Sequence, residues 1–568
     1  MNSIILVKRT KPIIVRFHFL RVQDGEQFFY QQILINLPCR SEEELLGGYQ
    51  TYREHYLSLH PNFSNALHAH LATSDQSHRH LMQIQFDQAI TYLLESLKDD
   101  MSSNIQNILQ IQLNTLKQVP PILPYTAMLD LPDEQYRVLN TITASLGPMR
   151  SKKWPYFFLT GSAGTGKSYL IKMILNWLNL HKNKYLLLAP TGVAAQNIGG
   201  FTIHSALRIT QSESGFQTLA YHDLEFRNEL LKIQTLIIDE ISMVSASLFT
   251  FIANMFGRIH ENDMAFGGIN VIAVGDLAQL PPVRASPVFH SSVWHLFYPL
   301  FLRQPRRQDQ DRNFYDMLEE IRFGNISQHT WNKLLEKAAD YQAKMSLNNA
   351  LTITHVVGLR KTADIINRAI CNVLPVEDNC FLISEAIDFQ DGIQTSSKAS
   401  QVEFKTKTNL PLSVRLQQGA RVMFLNNSLI SGGICNGTIG VVVSLDKSIP
   451  KVQVAFCIKD AIVLKWVMRE TSYFYAFGQH ASRTQFPLQN SFALTVHKTQ
   501  GITLPHVSLA LDSQIFSPGQ TYVAISRCPT WDKVCISSLH HDAFITDPEV
   551  INEYERLERI ASQTLPIV

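Results

Sequence analysis

The chain carries almost no excess charge: 50 Lys and Arg against 48 Asp and Glu leave +2 over 568 residues. A polyanionic partner must therefore be held by a local basic groove and not by a basic surface overall. Cysteine is scarce and unpatterned. The seven, Cys39, Cys371, Cys380, Cys435, Cys457, Cys528 and Cys535, include no CxxC pair, which argues against a zinc ribbon. Their odd number argues against a secreted disulfide framework. No apolar run reaches 18 residues, and the start MNSIILVKRTKPIIVRFHF has no apolar core of signal-peptide length, so a soluble intracellular protein without membrane association is expected. The basic cluster Arg150, Lys152 and Lys153 reads either as a solvated linker or as a nuclear address, with the nucleus as the expected compartment. There is no internal repeat and no low-complexity tract.

What is present is globular. At 45% hydrophobic and 17% charged residues, the chain is long enough for roughly three or four folded units. Residues 1–120 read as an accessory region, with strand-like runs at Ile13 to Phe19 and Gln32 to Leu37 and helical stretches near Glu42 to Leu59 and Phe86 to Leu116. The proline-bearing QVPPILPY, Gln118 to Tyr125, marks a linker. Apolar strand, loop and amphipathic helix then alternate, the pattern of parallel sheets covered on both faces. The first unit takes strands at Tyr156 to Leu159, Tyr185 to Ala189, Thr235 to Ile238, Asn270 to Val274 and Pro299 to Leu302. A second takes Leu351 to His355, Ser491 to Leu494, Val507 to Ala510 and Val534 to Ser538. The β-rich runs Gly440 to Val443, Lys451 to Phe456 and Ala461 to Trp466 predict a small barrel inserted between its halves.

The most informative stretch is GSAGTGKS: Gly161, Ser162, Ala163, Gly164, Thr165, Gly166, Lys167 and Ser168 fit GxxxxGK[ST] directly after a predicted strand. Backbone N–H groups of such a loop, backed by a helix N-terminus, cradle a polyphosphate. Lys167 is expected to reach the β- and γ-phosphates and Ser168 to ligate Mg²⁺. LIIDEIS then ends an apolar strand in Asp239 and Glu240, suited respectively to holding the metal and to orienting or deprotonating a water. In VIAVGDLAQLPPV, the Gln279 amide is placed to sense the γ-phosphate, although an inert loop glutamine has the same spacing.

GSAGTGKS, APTGVAAQNIGGFTIHSAL, LIIDEISMV, AFGGINVIAVGDLAQLPPV, ALTVHKTQGITL and YVAISRC together resemble the ordered motifs of superfamily 1 DNA helicases, closest to the petite-integration-frequency (PIF) type, related to the RecD helicases, over roughly Leu131 to Ser538. The resemblance implies an α/β protein with two RecA-like P-loop NTPase domains, a small SH3-like β-barrel insertion and an α+β N-terminal accessory region. The implied divisions are 126–298 for the first RecA-like domain, 299–439 and 490–568 for the second, and 440–489 for the barrel. It implies an ATP-dependent helicase moving 5′ to 3′ on single-stranded DNA, with ATP and Mg²⁺ as cofactors, single-stranded and forked DNA as partners, and a monomeric state. In LPDEQ, Gln135 resembles the adenine-reading residue. Arg527 resembles the arginine finger, and among Arg303, Arg306 and Arg307 the pattern favours Arg307 as the other cation from the second domain. Thr191, Thr202, His204, His497, Lys498 and Gln500 match positions that face the strand, where hydroxyl, imidazole and ammonium groups suit phosphate contact. His204 also suits a half-buried satisfied histidine, and Thr495 a helix cap.

The segment KPIIVRFHFLRVQDGEQFFYQQILINLPCRSEEELLGGYQTYREHYLSLHP resembles the region preceding the helicase in Helitron-type transposon proteins. Their initiator nuclease needs two metal-binding histidines followed by tyrosines. His68, His70, Tyr52 and Tyr56 imitate the set in the wrong order, so a docking or accessory region is expected. The implied setting is DNA repair, recombination and telomere maintenance, or transposition. The alternative, a catalytically inactive transposon-derived DNA-binding module, is disfavoured by the intact Lys167, Asp239, Glu240, Gln279 and Arg527.

Overall fold

A computed structural model describes residues 29, 30, 33, 46–59, 105–117, 131–146, 156–212, 215–306, 311–344, 351–374, 381–429, 432–446, 448–458 and 461–563. The chain divides into two compact units, Met1–Ser96 and Leu97–Val568. In the first unit, Tyr52–Leu59 is helical, but Gly47 and Gly48 adopt φ of 59° and 82°, so the helix expected from Glu42 does not run through them. Ile33 is helical where Gln32 to Leu37 predicts a strand, and so are Phe29 and Tyr30 just before it. Tyr52 and Tyr56 pack edge-on to Tyr30 and tilted against Phe29, respectively. His68, His70 and the strand-like run Ile13 to Phe19 lie outside the described residues.

In the second unit, β1 (Tyr156–Gly161), β2 (Tyr185–Ala189), β3 (Phe201–Thr202), β6 (Thr235–Ile238), β7 (Asn270–Gly275) and β8 (Tyr298–Leu302) form a parallel sheet in the order β3-β2-β6-β7-β1-β8. A small antiparallel hairpin, β4 (Ile209–Ser212) and β5 (Gly215–Thr218), stands apart from it. Strands β1, β6 and β7 are buried along their whole lengths, as apolar runs covered on both faces must be. The helix Lys167–Leu180 lays Leu170, Ile171, Ile174 and Leu178 against one face, a stripe at helical spacing. The other face is covered by Ala246–Ile259 with Phe249, Ile252 and Phe256. Since β8 pairs with β1, the first RecA-like sheet extends to Leu302, past the boundary expected at residue 298.

The second RecA-like sheet is also parallel: β9 (Thr354–Val357), β21 (Ala493–Thr495), β22 (Val507–Leu511) and β23 (Val534–Leu539), in the order β21-β9-β22-β23. Between β9 and β21 lies a larger β-rich insertion than 440–489. Strands β14 (Arg421–Phe424), β15 (Ile439–Asp446), β16 (Lys451–Ile458), β17 (Ala461–Met468) and β20 (Leu488–Asn490) make a five-stranded antiparallel sheet. Two further small sheets join β10 (Phe381–Glu385) to β13 (Ser413–Gln417), and β12 (Ile393–Gln394), β11 (Ile387–Gln390), β19 (Gln479–Gln485) and β18 (Glu470–Ala476) in that order. The insertion has its own core, including Val422, Phe424, Val442, Val454, Phe456 and Leu488.

The helix Ile105–Lys117, assigned by sequence to the accessory region, belongs to this second unit, with Leu109 against Val441 of β15. At the other end, Pro548–Gln563 sends Val550, Tyr554 and Leu557 into the core of the first RecA-like sheet.

Candidate active site

Strand register assembles the site. Thr160 lies opposite Gly275, and Ile238 lies opposite Ala273, so the phosphate loop, Asp239 and Asp276 leave the sheet side by side at the carboxyl ends of β1, β6 and β7. That edge is where open α/β sheets bind ligands. Gly275 has no room for a side chain, because a Cβ there would lie 2.9 Å from the Ile241 nitrogen. The turns after β6 and β7 therefore touch.

In the loop itself, Gly166 takes φ 93° and starts the helix, and a Cβ on it would fall 2.4 Å from the Gln135 Nε2. The left-handed φ is what calls for glycine there, since the Gln135 amide is the end of a flexible side chain that can swing aside. Gln135 is buried and donates to the Thr165 carbonyl at 3.1 Å, so its amide braces the loop in this state. Lys167 donates from Nζ to the carbonyls of Gly161 at 2.6 Å and Ser162 at 2.9 Å. Burial lowers its pKa, against the opposing pull of Asp276 and Glu240. Ser168 is exposed at the first turn.

Asp239 is buried and accepts the Glu240 N–H at 2.9 Å. Burial, then the neighbouring Glu240 carboxylate, pushes its carboxyl well above the ordinary range. Glu240 adopts φ 49° and ψ 46°, an uncommon conformation for a residue with a Cβ. Gln279 is buried and its Oε1 has no hydrogen-bond partner. Hard oxygen donors at Ser168 and Asp239, with charge accumulated beside them, fit a divalent cation of the magnesium type.

The second RecA-like unit closes over this edge. Ala163 N–H of the phosphate loop donates to the Tyr522 hydroxyl at 2.7 Å, and Ser162 Oγ donates to the Tyr315 hydroxyl at 3.0 Å. Arg527, buried at the end of helix Gln520–Ser526, donates to the Val523 carbonyl at 2.9 Å and to Ser526 Oγ at 2.8 Å. Burial lowers its pKa while the charges of Glu240 and Asp276 oppose that shift. Arg307 lies outside the described residues. Its neighbour Arg306 is exposed and donates its backbone N–H to the Gly164 carbonyl at 2.8 Å.

The strand-facing candidates divide. Thr191 and Thr202 cap helices Gly192–Ile198 and Ile203–Ala206, accepting from Ala194 N–H and Ser205 N–H. His204 keeps an exposed surface, yet partial burial of its ring lowers its pKa. His497 stacks on Phe516 with ring centroids 5.9 Å apart, and Lys498 donates to Gln489 Oε1 at 2.6 Å. Thr495 precedes helix Val496–Thr499 but makes no side-chain cap bond. Gln500, expected to face the strand, is buried instead and donates to Glu240 Oε2 at 3.2 Å.

Sequence reasoning missed a buried ionic cluster behind the loop. Asp276 is fully buried and accepts from Arg322 Nη2 at 2.9 Å, from Tyr554 at 2.8 Å and from Tyr522 at 2.9 Å. Burial opposes its charge, but Arg322 and Lys167 hold its pKa below the ordinary value. Asp276 lies in GDLAQLPPV and Tyr522 in YVAISRC, stretches already singled out; Tyr554 stands in none.

The family model described as PIF1-like helicase matches residues 130–332. The ATP-dependent DNA helicase PIF1 of Homo sapiens is 32% identical over 447 residues, covering 77% of this chain and 65% of that protein. This chain thus spans a little under two thirds of the human relative's length. The ATP-dependent DNA helicase Pif1 of Bdellovibrio bacteriovorus is 30% identical over 426 residues, covering 71% of this chain and 88% of that protein. The solved structure of a Bacteroides Pif1 helicase in complex with ADP-AlF3 and ssDNA superposes with a TM-score of 0.61 at 26% identity, covering 76% of this chain and 98% of that one. Two RecA-like sheets meeting at a phosphate loop, with sequence likeness across nearly the whole bacterial relative, place this chain in the PIF1-like helicase family.

Proposed function

We propose that this chain is an ATP-dependent DNA helicase that moves 5′ to 3′ along single-stranded DNA and opens forked duplex. The observation that carries the reading is the cleft between the two RecA-like units, where Lys167, Asp239, Glu240 and Gln279 from one side meet Arg527, Gln500 and Tyr522 from the other. A nucleotide bound there touches both units, so its hydrolysis changes how they hold each other. The Bacteroides Pif1 complex with ADP-AlF3 and ssDNA supports both ligands for this chain.

In this reading the phosphate loop's N–H groups and Lys167 bind the β- and γ-phosphates, and Ser168 and Asp239 hold Mg²⁺. The cation, when bound, neutralises charge on the phosphate oxygens. Lys167 leaves the loop carbonyls for the phosphate. Glu240 takes a proton from the attacking water, and Arg527 turns from its neutral oxygen partners toward the developing charge. His497 and Lys498 hold the strand's phosphates, with Thr191, Thr202 and His204 across from them. We place it, as a monomer, in genome maintenance or transposition.

ATPase stimulated by single-stranded DNA, and unwinding of 5′-tailed against 3′-tailed duplex, test the reading. Lys167→Ala is expected to abolish both activities while DNA binding persists. Undiminished activity of that variant overturns the site, and preference for 3′ tails overturns the direction.

A further inference from the structure

We propose that Gln500 belongs to the hydrolytic site: its amide group orients Glu240, and its carboxamide oxygen accepts the second O–H of the attacking water. The inference rests on the ATPase reading above and gives it a residue that the strand-facing assignment placed elsewhere.

Gln500 closes the short helix Val496–Thr499 with an extended backbone of φ −64° and ψ 136°. The residue is 5% exposed, and its amide is turned to Glu240. Nε2 donates to Glu240 Oε2 at 3.2 Å, while Oε1 is buried without a hydrogen-bond partner. A buried acceptor without a donor loses its hydration for no return, so native proteins leave few of them without reason. A second such oxygen, Gln279 Oε1, is buried on the turn that abuts Glu240's own. The orphaned Gln500 oxygen beside the Glu240 carboxylate, with a second orphan on the adjoining turn, defines a place for a small donor. Water is the donor the reaction requires.

Glu240 needs this support. Its left-handed backbone fixes where the side chain starts, and Gln500 is the side-chain partner seen at its carboxylate. The water oxygen forms a bond to the γ-phosphorus as the bond to the β,γ-bridging oxygen breaks, and that electron pair stays on ADP. One water proton passes to Glu240. The other stays on the new phosphate oxygen, and it is this O–H that Gln500 Oε1 holds during attack.

The test uses the full chain. Steady-state ATPase with saturating oligo-dT gives kcat and KM for ATP, and fluorescence anisotropy gives the Kd for the same oligonucleotide without nucleotide. For Gln500→Leu, kcat is expected to fall roughly tenfold or more, below the about 10²–10⁴-fold that a general base itself contributes because Gln500 acts through Glu240, with KM and Kd within about twofold of wild type. Gln500→Glu keeps the shape but faces Glu240 with a like charge, and is expected to fall as far. Gln500→Asn, which keeps the amide on a shorter stem, is expected to recover part of kcat. Fluorescent ADP binding certifies each fold; where Gln500→Leu fails that check, Gln500→Met is read in its place. An unchanged kcat, or a loss confined to DNA affinity, overturns the inference. Lys167→Ala, measured alongside, separates the two readings. If it remains active the ATP site itself is wrong, whereas if it is dead and Gln500→Leu keeps full kcat, only the Gln500 assignment falls.

Discussion

Arg322 grips Asp276 Oδ1 with two guanidinium nitrogens, Nη2 at 2.9 Å and Nε at 3.1 Å, and both side chains are almost wholly buried. Asp276 belongs to the turn after β7 of the first RecA-like sheet, and Arg322 to helix Arg312–Phe323, which packs with the second. Tyr554 adds a hydroxyl at 2.8 Å and Tyr522 another at 2.9 Å, so one carboxylate ties three distant segments to the end of the phosphate-binding sheet.

Breaking that cluster from one side leaves a buried charge uncompensated. Arg322→Met is expected to destabilise the fold by about 3–5 kcal/mol, read from chemical denaturation. Tyr554→Phe removes one donor to a charged group and is expected to cost about 1.5–3 kcal/mol. Because the pKa of Asp276 is lowered on folding, its stabilisation is present above the unfolded carboxyl value of 3.8 and is lost as pH falls through the lower folded value. The difference in stability between wild type and Arg322→Met should therefore be full at pH 7 and shrink in strong acid. A difference that grows on acidification would contradict the pairing.

Arg421 carries a second expectation. Its guanidinium is buried among neutral acceptors, Gln112 Oε1 at 3.0 and 3.1 Å, the Leu351 carbonyl at 2.7 Å and Thr354 Oγ1 at 3.1 Å, and burial pushes its pKa down to about 10. Gln112 comes from helix Ile105–Lys117, which thereby completes the second RecA-like unit. Gln112→Ala should cost about 1–3 kcal/mol, since a charged donor loses its acceptor. Deleting residues 1–120 should lower the melting temperature by several degrees more than deleting 1–96. Equal melting of the two truncations would refute the docking.

These examples show where sequence is legible. The strands of the first sheet could be read because Val, Ile and Leu runs buried on both faces stand out from polar turns, and the phosphate loop because its chemistry is local. The strand expected at Leu351 to His355 begins instead at Thr354. Leu351 and Ile353 are buried just before it, and an apolar run does not say which of its residues pair. The insertion exceeds what its sequence pattern suggests because strands such as Phe381–Glu385 bury only part of their length and interleave with a polar helix at Lys398–Lys407. Gln500, just past its short helix, turns to Glu240 where its motif suggests the strand, since a motif fixes position along the chain but not the direction of a side chain. Tyr554 meets Asp276 across 278 residues, and only the folded chain brings them together.

The insertion offers a test independent of the active site. Arg483 and Asp388 are paired through two 2.7 Å bonds, Nε to Oδ1 and Nη2 to Oδ2, with 1% and 3% side-chain exposure. Such a fork loses little to solvent and holds β11 (Ile387–Gln390) to β19 (Gln479–Gln485). Asp388→Ala is expected to cost about 3–5 kcal/mol, while the double replacement Asp388→Leu with Arg483→Met recovers most of it because no charge is stranded. Denaturant midpoints of the three variants measure the difference. A double variant no better than the single would show that the strands need the ions themselves.

The last expectation concerns the grip on DNA. Burial, reinforced by the positive charge of Arg360, lowers the Lys498 pKa to about 8, with Asp364 opposing the shift. The ammonium form is the one that contacts a phosphate, so affinity for single-stranded DNA should be level below about pH 8 and weaken above it. Phosphate binding favours the charged form, so association above that pH takes up a proton. The neutral form also forfeits about one contact, which should reduce the slope of log K against log salt by roughly 0.7. Arginine remains charged throughout this range, so Lys498→Arg should flatten the pH profile between 7 and 9.5 and hold the salt slope constant. Fluorescence anisotropy over that range decides it. A profile that still falls in the arginine variant would place the titrating group elsewhere and remove Lys498 from the strand's path.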